Sequence, residues 1–189
     1  NPKESKISNL KKKRPTPVKL QSKLAKKDSI SNALRQKVKN ALIGFDGKGL
    51  TITQKNGMVY VSMEDKLLFK SGSFEIDTRG ADAIRGLAEV LAQNPDINIM
   101  VEGHTDDVPY QGRGELKDNW DLSVKRATTV VRLLTENKGI NPTRITGAGR
   151  SQYLPMEAAK TPQARQKNRR TEIILTPNLD ELMQIIEKN

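Results

Sequence analysis

Residues able to do chemistry crowd one short stretch, His104-Thr105-Asp106-Asp107, with Arg126 downstream and Arg169-Arg170 near the end of the chain. An imidazole beside two carboxylates could serve acid–base catalysis or a carboxylate-rich metal site. Neither is expected here. Nucleophilic catalysis needs a Ser or Thr held against the imidazole, and no nucleophile marks a strand-to-helix elbow. His104 is the only histidine and there is no cysteine, which excludes multi-histidine and thiolate metal sites within one chain. The expectation is therefore no enzyme, no metal and no cofactor, with His104 bonding backbone at a strand end. Gly147-Ala148-Gly149 lacks the third glycine and the helix start of a nucleotide loop. Trp120, the only tryptophan, fits a stacking platform or the core equally well. A lone Asp and Arg pair is most often a plain salt bridge.

The elements that must position these groups follow from periodicity and chain breakers. Residues 50–54 and 58–63 flank Lys55-Asn56-Gly57, and Asn-Gly favours a tight hairpin turn. Residues 78–93 place Ala81, Ile84, Leu87, Ala88 and Leu91 at helical spacing, stopped by Asn94-Pro95. A strand over 97–101, a helix over 122–136 ending at Lys138-Gly139, and a strand from 144 to 146 come next. Residues 170–176 form a closing strand, and Asn178 can cap a last helix over 178–189. This order predicts an α/β two-layer sandwich, βαβαββ, with one mixed sheet covered by helices on one face. The globular unit is placed at 50–177.

Upstream the chain is different. Residues 1–40 hold 13 Lys and Arg against Glu4 and Asp28, and the remaining residues carry 20 of each sign. A folded part with no net charge argues against a basic face tracking phosphates, so no nucleic acid is expected as partner. The run Lys11-Lys12-Lys13-Arg14-Pro15-Thr16-Pro17 reads as extended, and residues 1–28 are assigned to a basic disordered linker reaching at most about 90–100 Å. Ile30, Leu34, Val38, Ala41 and Leu42 then recur on one face of a helix over 29–44. That helix could dock a partner or lie on its own domain. No stretch approaches the roughly 18 apolar residues of a membrane span, so either the protein is soluble or its targeting segment has been removed.

Several of these blocks carry a resemblance. Gly103-His104-Thr105-Asp106 at a strand end, Asn119 and Leu122-Ser123 before a helix, and Arg126-Ala127 are similar to the signature of the OmpA-like family. Gly147-Ala148-Gly149, then Pro155, then Asn168-Arg169-Arg170-Thr171-Glu172-Ile173 match its later blocks in order. The loop over 108–117 and the form Asn119-Trp120-Asp121-Leu122-Ser123 resemble the MotB branch. Ala148 and Arg150 stand where the family usually has an aromatic and an acid, and no ligand contact is assigned to that loop.

The resemblance implies non-catalytic binding of the peptide stem of peptidoglycan, with its diaminopimelate centre, in the periplasm. Asp106 would accept from the ligand's ammonium, and Arg126 would hold its carboxylate through two parallel hydrogen bonds, helped by free N–H groups of a nearby helix start. Thr105 and Asn119 would add polar contacts, with Arg169 or Arg170 beside the pocket and Asp107 taking part or facing solvent. The chain would anchor an envelope protein to the wall, its N-terminal segment joining a membrane anchor or envelope protein and allowing a homodimer. The alternative is a MotB-like stator or structural envelope component working mainly through protein–protein contacts.

Overall fold

The computed structural model describes residues 17–70, 73–112 and 114–178. Helix α1 spans Pro17–Ala41, followed by β1 (Leu50–Lys55), β2 (Met58–Glu64), a short α2 (Asp65–Leu68) and α3 (Thr78–Ala92). Then come β3 (Ile97–His104), α4 (Asn119–Thr135), β4 (Ile145–Gly149), α5 (Pro162–Asn168) and β5 (Arg170–Pro177). The strands form one mixed sheet in the order β1-β2-β5-β3-β4. Only β3 and β4, joined across α4, run parallel, while the last strand inserts between β2 and β3 and is antiparallel to both. This is the α/β sandwich that the alternation of strands and helices predicts.

Alternation explains the layering. Val59, Val61 and Met63 of β2, Ile97, Ile99 and Val101 of β3, and Ile173 and Leu175 of β5 are buried on one face, against Ile84, Leu87 and Leu91 of α3 and Val130 and Leu134 of α4. The predicted hairpin turn carries positive φ at Asn56 (54°) and Gly57 (67°), as a two-residue hairpin loop requires.

The strands over 97–101 and 144–146 run three residues further, to His104 and Gly149, the short α2 and α5 are not predicted, and two helices start earlier than expected. The helix assigned to 29–44 already begins at Pro17, so the linker assigned to 1–28 is at least twelve residues shorter. Proline is tolerated in a first helical turn, where its missing N–H has no intrahelical partner. The Leu, Ala, Lys and Gln residues that follow are good helix formers, and solvent screens the repulsion between lysines. Leu34, Val38 and Leu42 of this segment are buried, so its C-terminal half lies on its own domain and is part of the core. Ser31 Oγ ties it down by donating to the Gly57 carbonyl at 2.7 Å. Val18, Leu20 and Leu24 remain exposed.

The helix expected over 122–136 starts three residues earlier, because Asp118 caps it by accepting from the Asp121 N–H at 3.0 Å. The final helix expected over 178–189 lies outside the described residues, apart from Asn178.

Candidate ligand-binding cleft

Strand register assembles a polar cleft at one end of the sheet. Glu64 of β2 and His104 of β3 both sit opposite Arg170 of β5, so the residues just beyond these positions emerge together. They are Asp65, Thr105 with Asp106, and Arg169. The Asp65 N–H donates to the Arg169 carbonyl at 3.0 Å, extending the ladder by one step. Helix α4 then brings Asn119 and Arg126 over the same end.

Its approach depends on Gly103 and Gly149. A Cβ on Gly103 would collide with the Ser123 carbonyl oxygen, and one on Gly149 would meet Ser123 Oγ. The glycine of the Gly-His-Thr-Asp block therefore sets how close α4 lies to β3.

Two cavities meet at the cleft. One, of about 410 Å³, is lined by Asp65, Lys66, Phe69, Lys70, Gln166, Arg126 and Arg169. The other, of about 460 Å³, is lined by Thr105, Asp106, Tyr110, Asn119, Arg126 and Arg169, among others. Arg126 and Arg169 line both.

Their charges are already paired, but crosswise to expectation. Asp106 Oδ2 accepts from Arg169 Nη1 at 2.5 Å, and Oδ1 accepts from the Val108 N–H at 3.1 Å. Arg126 forms its ion pair with Asp65, donates from Nη2 to the Ser73 carbonyl at 3.3 Å, and lies over the Phe69 ring, 5.3 Å from its centroid. Burial pushes the Asp65 carboxyl up to about 6, against the opposing pull of Arg126 and Arg169. It is therefore ionised at neutral pH but within reach of protonation. Two acids and two arginines thus make a cleft with no net charge from these four groups.

Asn119 and Thr105 hold the loop that forms the wall. Asn119 Nδ2 donates to the Val108 carbonyl at 3.0 Å and to Gln152 Oε1 at 2.8 Å, while its Oδ1 accepts from the Tyr110 N–H at 3.1 Å. Thr105 Oγ1 donates to the Asp106 carbonyl at 3.0 Å. Asp107 is bound on the surface through both oxygens by Arg165, at 2.7 and 3.2 Å, and that hydrogen bonding holds it below the usual carboxylate range.

Three expectations need correction. Arg170 lines neither cavity: successive residues point to opposite sides, and its guanidinium turns to the other face, donating to Glu172 Oε1 at 2.7 Å. Arg126 sits two turns into α4 rather than near its start, so free N–H groups of the helix end are not beside it. His104 makes no backbone bond through its ring. It is 1% exposed, neither ring nitrogen has a hydrogen-bond partner among the described residues, and burial, with Arg170 and Arg150 nearby, lowers its pKa to about 3.

Trp120, left open between core and platform, is 47% exposed and packs against Tyr153 with ring centroids 5.6 Å apart. Asp65 is the cleft residue that sequence reasoning missed, since it belongs to no motif and meets Arg126 only through the sheet.

Comparison with known proteins agrees with this architecture. Motility protein B of Bacillus subtilis (strain 168) is 33% identical over 117 residues, which cover 62% of this chain and 44% of that protein. The chain thus spans less than half the length of that relative. A MotB-like protein from Desulfovibrio vulgaris shares the fold with a TM-score of 0.74 at 22% identity, over 82% of this chain and 95% of that one. The cell wall anchor of the T6SS from Pseudomonas aeruginosa gives 0.67 at 25% identity, over 74% and 96% respectively. The model of the OmpA family matches residues 68–169, more than half of the chain. On that match, and on a fold shared with MotB-like domains, the chain belongs to the OmpA family.

Proposed function

We propose that the cleft binds the peptide stem of peptidoglycan at its diaminopimelate centre and so anchors an envelope protein to the wall from the periplasm, without catalysis. The observation that carries this reading is the pairing of Asp65 with Arg126 and of Asp106 with Arg169 around adjoining cavities. The ammonium of such a centre can replace the exposed Arg169 at Asp106, and its carboxylate can join Arg126 while Asp65 keeps its ion pair with that guanidinium, so no buried charge is left uncompensated. Its carboxylate takes the planar fork of Arg126 and its ammonium takes Asp106, each gaining a charge-assisted hydrogen bond. Arg169, 40% exposed, is the partner freest to swing aside. Thr105 and Asn119 support the site by holding the loop, and Arg170 has no part in it. The resemblance of the sequence blocks and the cell wall anchor among the matched structures support the same ligand class.

The experiment is amide NMR of the protein titrated with a diaminopimelate stem peptide, with the lysine stem as control. Shifts at Thr105, Asp106, Asn119 and Arg126 for the first peptide alone are expected. Equal retention of Asp106→Ala and wild type on purified sacculi would overturn the reading.

A second reading, a stator or structural envelope component acting mainly through protein contacts, draws on Val18, Leu20 and Leu24, exposed on the part of α1 away from the buried Leu34 and Val38. These side chains, spread over more than one side of the helix, could contact a membrane-anchored partner or a second copy. Loss of envelope assembly with intact wall binding on removal of residues 1–28 would favour it.

A further inference from the structure

A second cluster lies on the face of the sheet opposite the helices. Glu102 of β3 is directly opposite Glu172 of β5, and His104 is opposite Arg170. Like charges directly across a strand pair destabilise a sheet unless something positive lies between them. Here they are also enclosed: Glu102 is 3% and His104 1% exposed, and the segment after β4 closes over them, with the Leu154 carbonyl accepting from Arg170 Nη2 at 3.3 Å.

The hydrogen bonding of the cluster is one-sided. Glu102 Oε1 accepts from Arg150 Nη2 at 2.8 Å and Nε at 3.1 Å, and Glu172 Oε1 accepts from Arg170 Nε at 2.7 Å. The second oxygen of each carboxylate lies near His104 Nε2, at 3.6 Å from Glu102 and 4.0 Å from Glu172. Both separations exceed a hydrogen bond. A buried imidazole with no partner at either nitrogen among the described residues is costly, and native structures rarely leave one so.

The gap has the size of an ion rather than of a bond. Ligand atoms around a tetrahedral zinc, with bonds of about 2.0–2.2 Å, lie roughly 3.3–3.6 Å apart. One ligand atom from each of the three residues lies within 4.8 Å of the other two, a difference that carboxylate torsions can close. A water molecule could satisfy Nε2, but it would leave two carboxylate oxygens turned to each other with no cation between them. Arg150, 51% exposed, and the buried Arg170 each reach one carboxylate, but from its outer oxygen, so neither cation lies between the two inner oxygens and Nε2.

We infer that Glu102 Oε2, Glu172 Oε2 and His104 Nε2 bind a divalent transition-metal ion of the zinc class, with Arg150 and Arg170 fixing the outer carboxylate oxygens. Hydrogen bonds that orient ligating carboxylates in this way are the usual outer shell of metal sites. A nitrogen donor beside two carboxylates favours zinc over magnesium or calcium, which prefer all-oxygen sets. The ion would cross-link β3 to β5 at the end from which Asp106 and Arg169 emerge, a role independent of what the cleft binds.

His104 is the only histidine, so its imidazole resonances report on this site alone. The test is titration of the EDTA-treated full chain, with ¹⁵N-labelled histidine, by Zn²⁺ and separately by Mg²⁺. A saturable shift of the Nε2 resonance and a rise in Tm with Zn²⁺ but not Mg²⁺ are expected. Glu102→Gln and Glu172→Gln, with unchanged far-UV circular dichroism, should each weaken zinc binding at least tenfold. An Nε2 resonance of the wild-type chain that stays fixed in excess zinc would overturn the assignment, as would undiminished affinity in both variants.

Discussion

At the scale of single residues, the cleft is governed by what its charges do in the absence of ligand. Asp65 is buried and its carboxyl is raised from 3.8 to about 6. Between those values the native state holds a proton that the unfolded chain has lost, so this contribution to stability is complete below about pH 3.8 and disappears as pH rises through 6. Relative to Asp65→Asn, the wild type should lose about 1.4 kcal/mol per pH unit across that window, with no further change above pH 7. Urea denaturation of both proteins from pH 3.5 to 7.5 measures the difference, and a flat difference would refute the shift. Arg126→Lys keeps a cation for Asp65 but removes the fork. It should fold and yet bind the stem peptide about tenfold or more weakly, the loss of roughly one charge-assisted hydrogen bond, read by titration calorimetry.

At the scale of elements, the site depends on how closely α4 lies on β3. Gly103→Ala would push a methyl against the Ser123 carbonyl oxygen, which is backbone and cannot turn away. A cost of about 1–3 kcal/mol in stability is expected. Affinity should fall with it, because the displaced helix carries both Asn119 and Arg126. Asp118→Ala removes only the N-terminal cap and should cost about 1 kcal/mol. Thermal unfolding of the two variants beside a binding titration separates the effects: the cap variant loses stability with little change in affinity, the glycine variant loses both.

For the whole molecule, the folded unit is longer than the strand-and-helix pattern over 50–177 implies. Leu34 and Val38 of α1 and Leu42 just after it close the core, each worth about 1.5–3 kcal/mol of burial. Removing residues 1–44 would forfeit a sum comparable to the entire stability of a small domain, so that deletion should fail to fold cooperatively. Removing residues 1–28 leaves Ser31 and the buried leucines in place. It should shift Tm by no more than a few degrees and leave binding to sacculi unchanged in moderate salt, which differential scanning calorimetry and a pull-down would establish.

The chain itself carried the local order and the motif residues. Periodicity and breakers such as Asn94-Pro95 and Asn56-Gly57 place the five strands, α3 and α4 to within a few residues but give no sign of the short α2 and α5, and the ordered blocks point to Asp106, Asn119 and Arg126. The start of α1 is not legible in the same way, because apolar spacing begins only at Ile30 and the turns before it are largely exposed, with no buried face to mark them. Pairing was decided only by the tertiary structure. Which acid faces which arginine, that Arg169 and Arg170 turn to opposite faces, and that Glu102, His104 and Glu172 converge all follow from inserting β5 between β2 and β3 in one register. That register is the outcome of burying Val61, Val101 and Ile173 together on one face. Shifting any of these strands by one residue would turn its whole apolar set to solvent, and neighbours far apart along the chain leave no trace in local sequence.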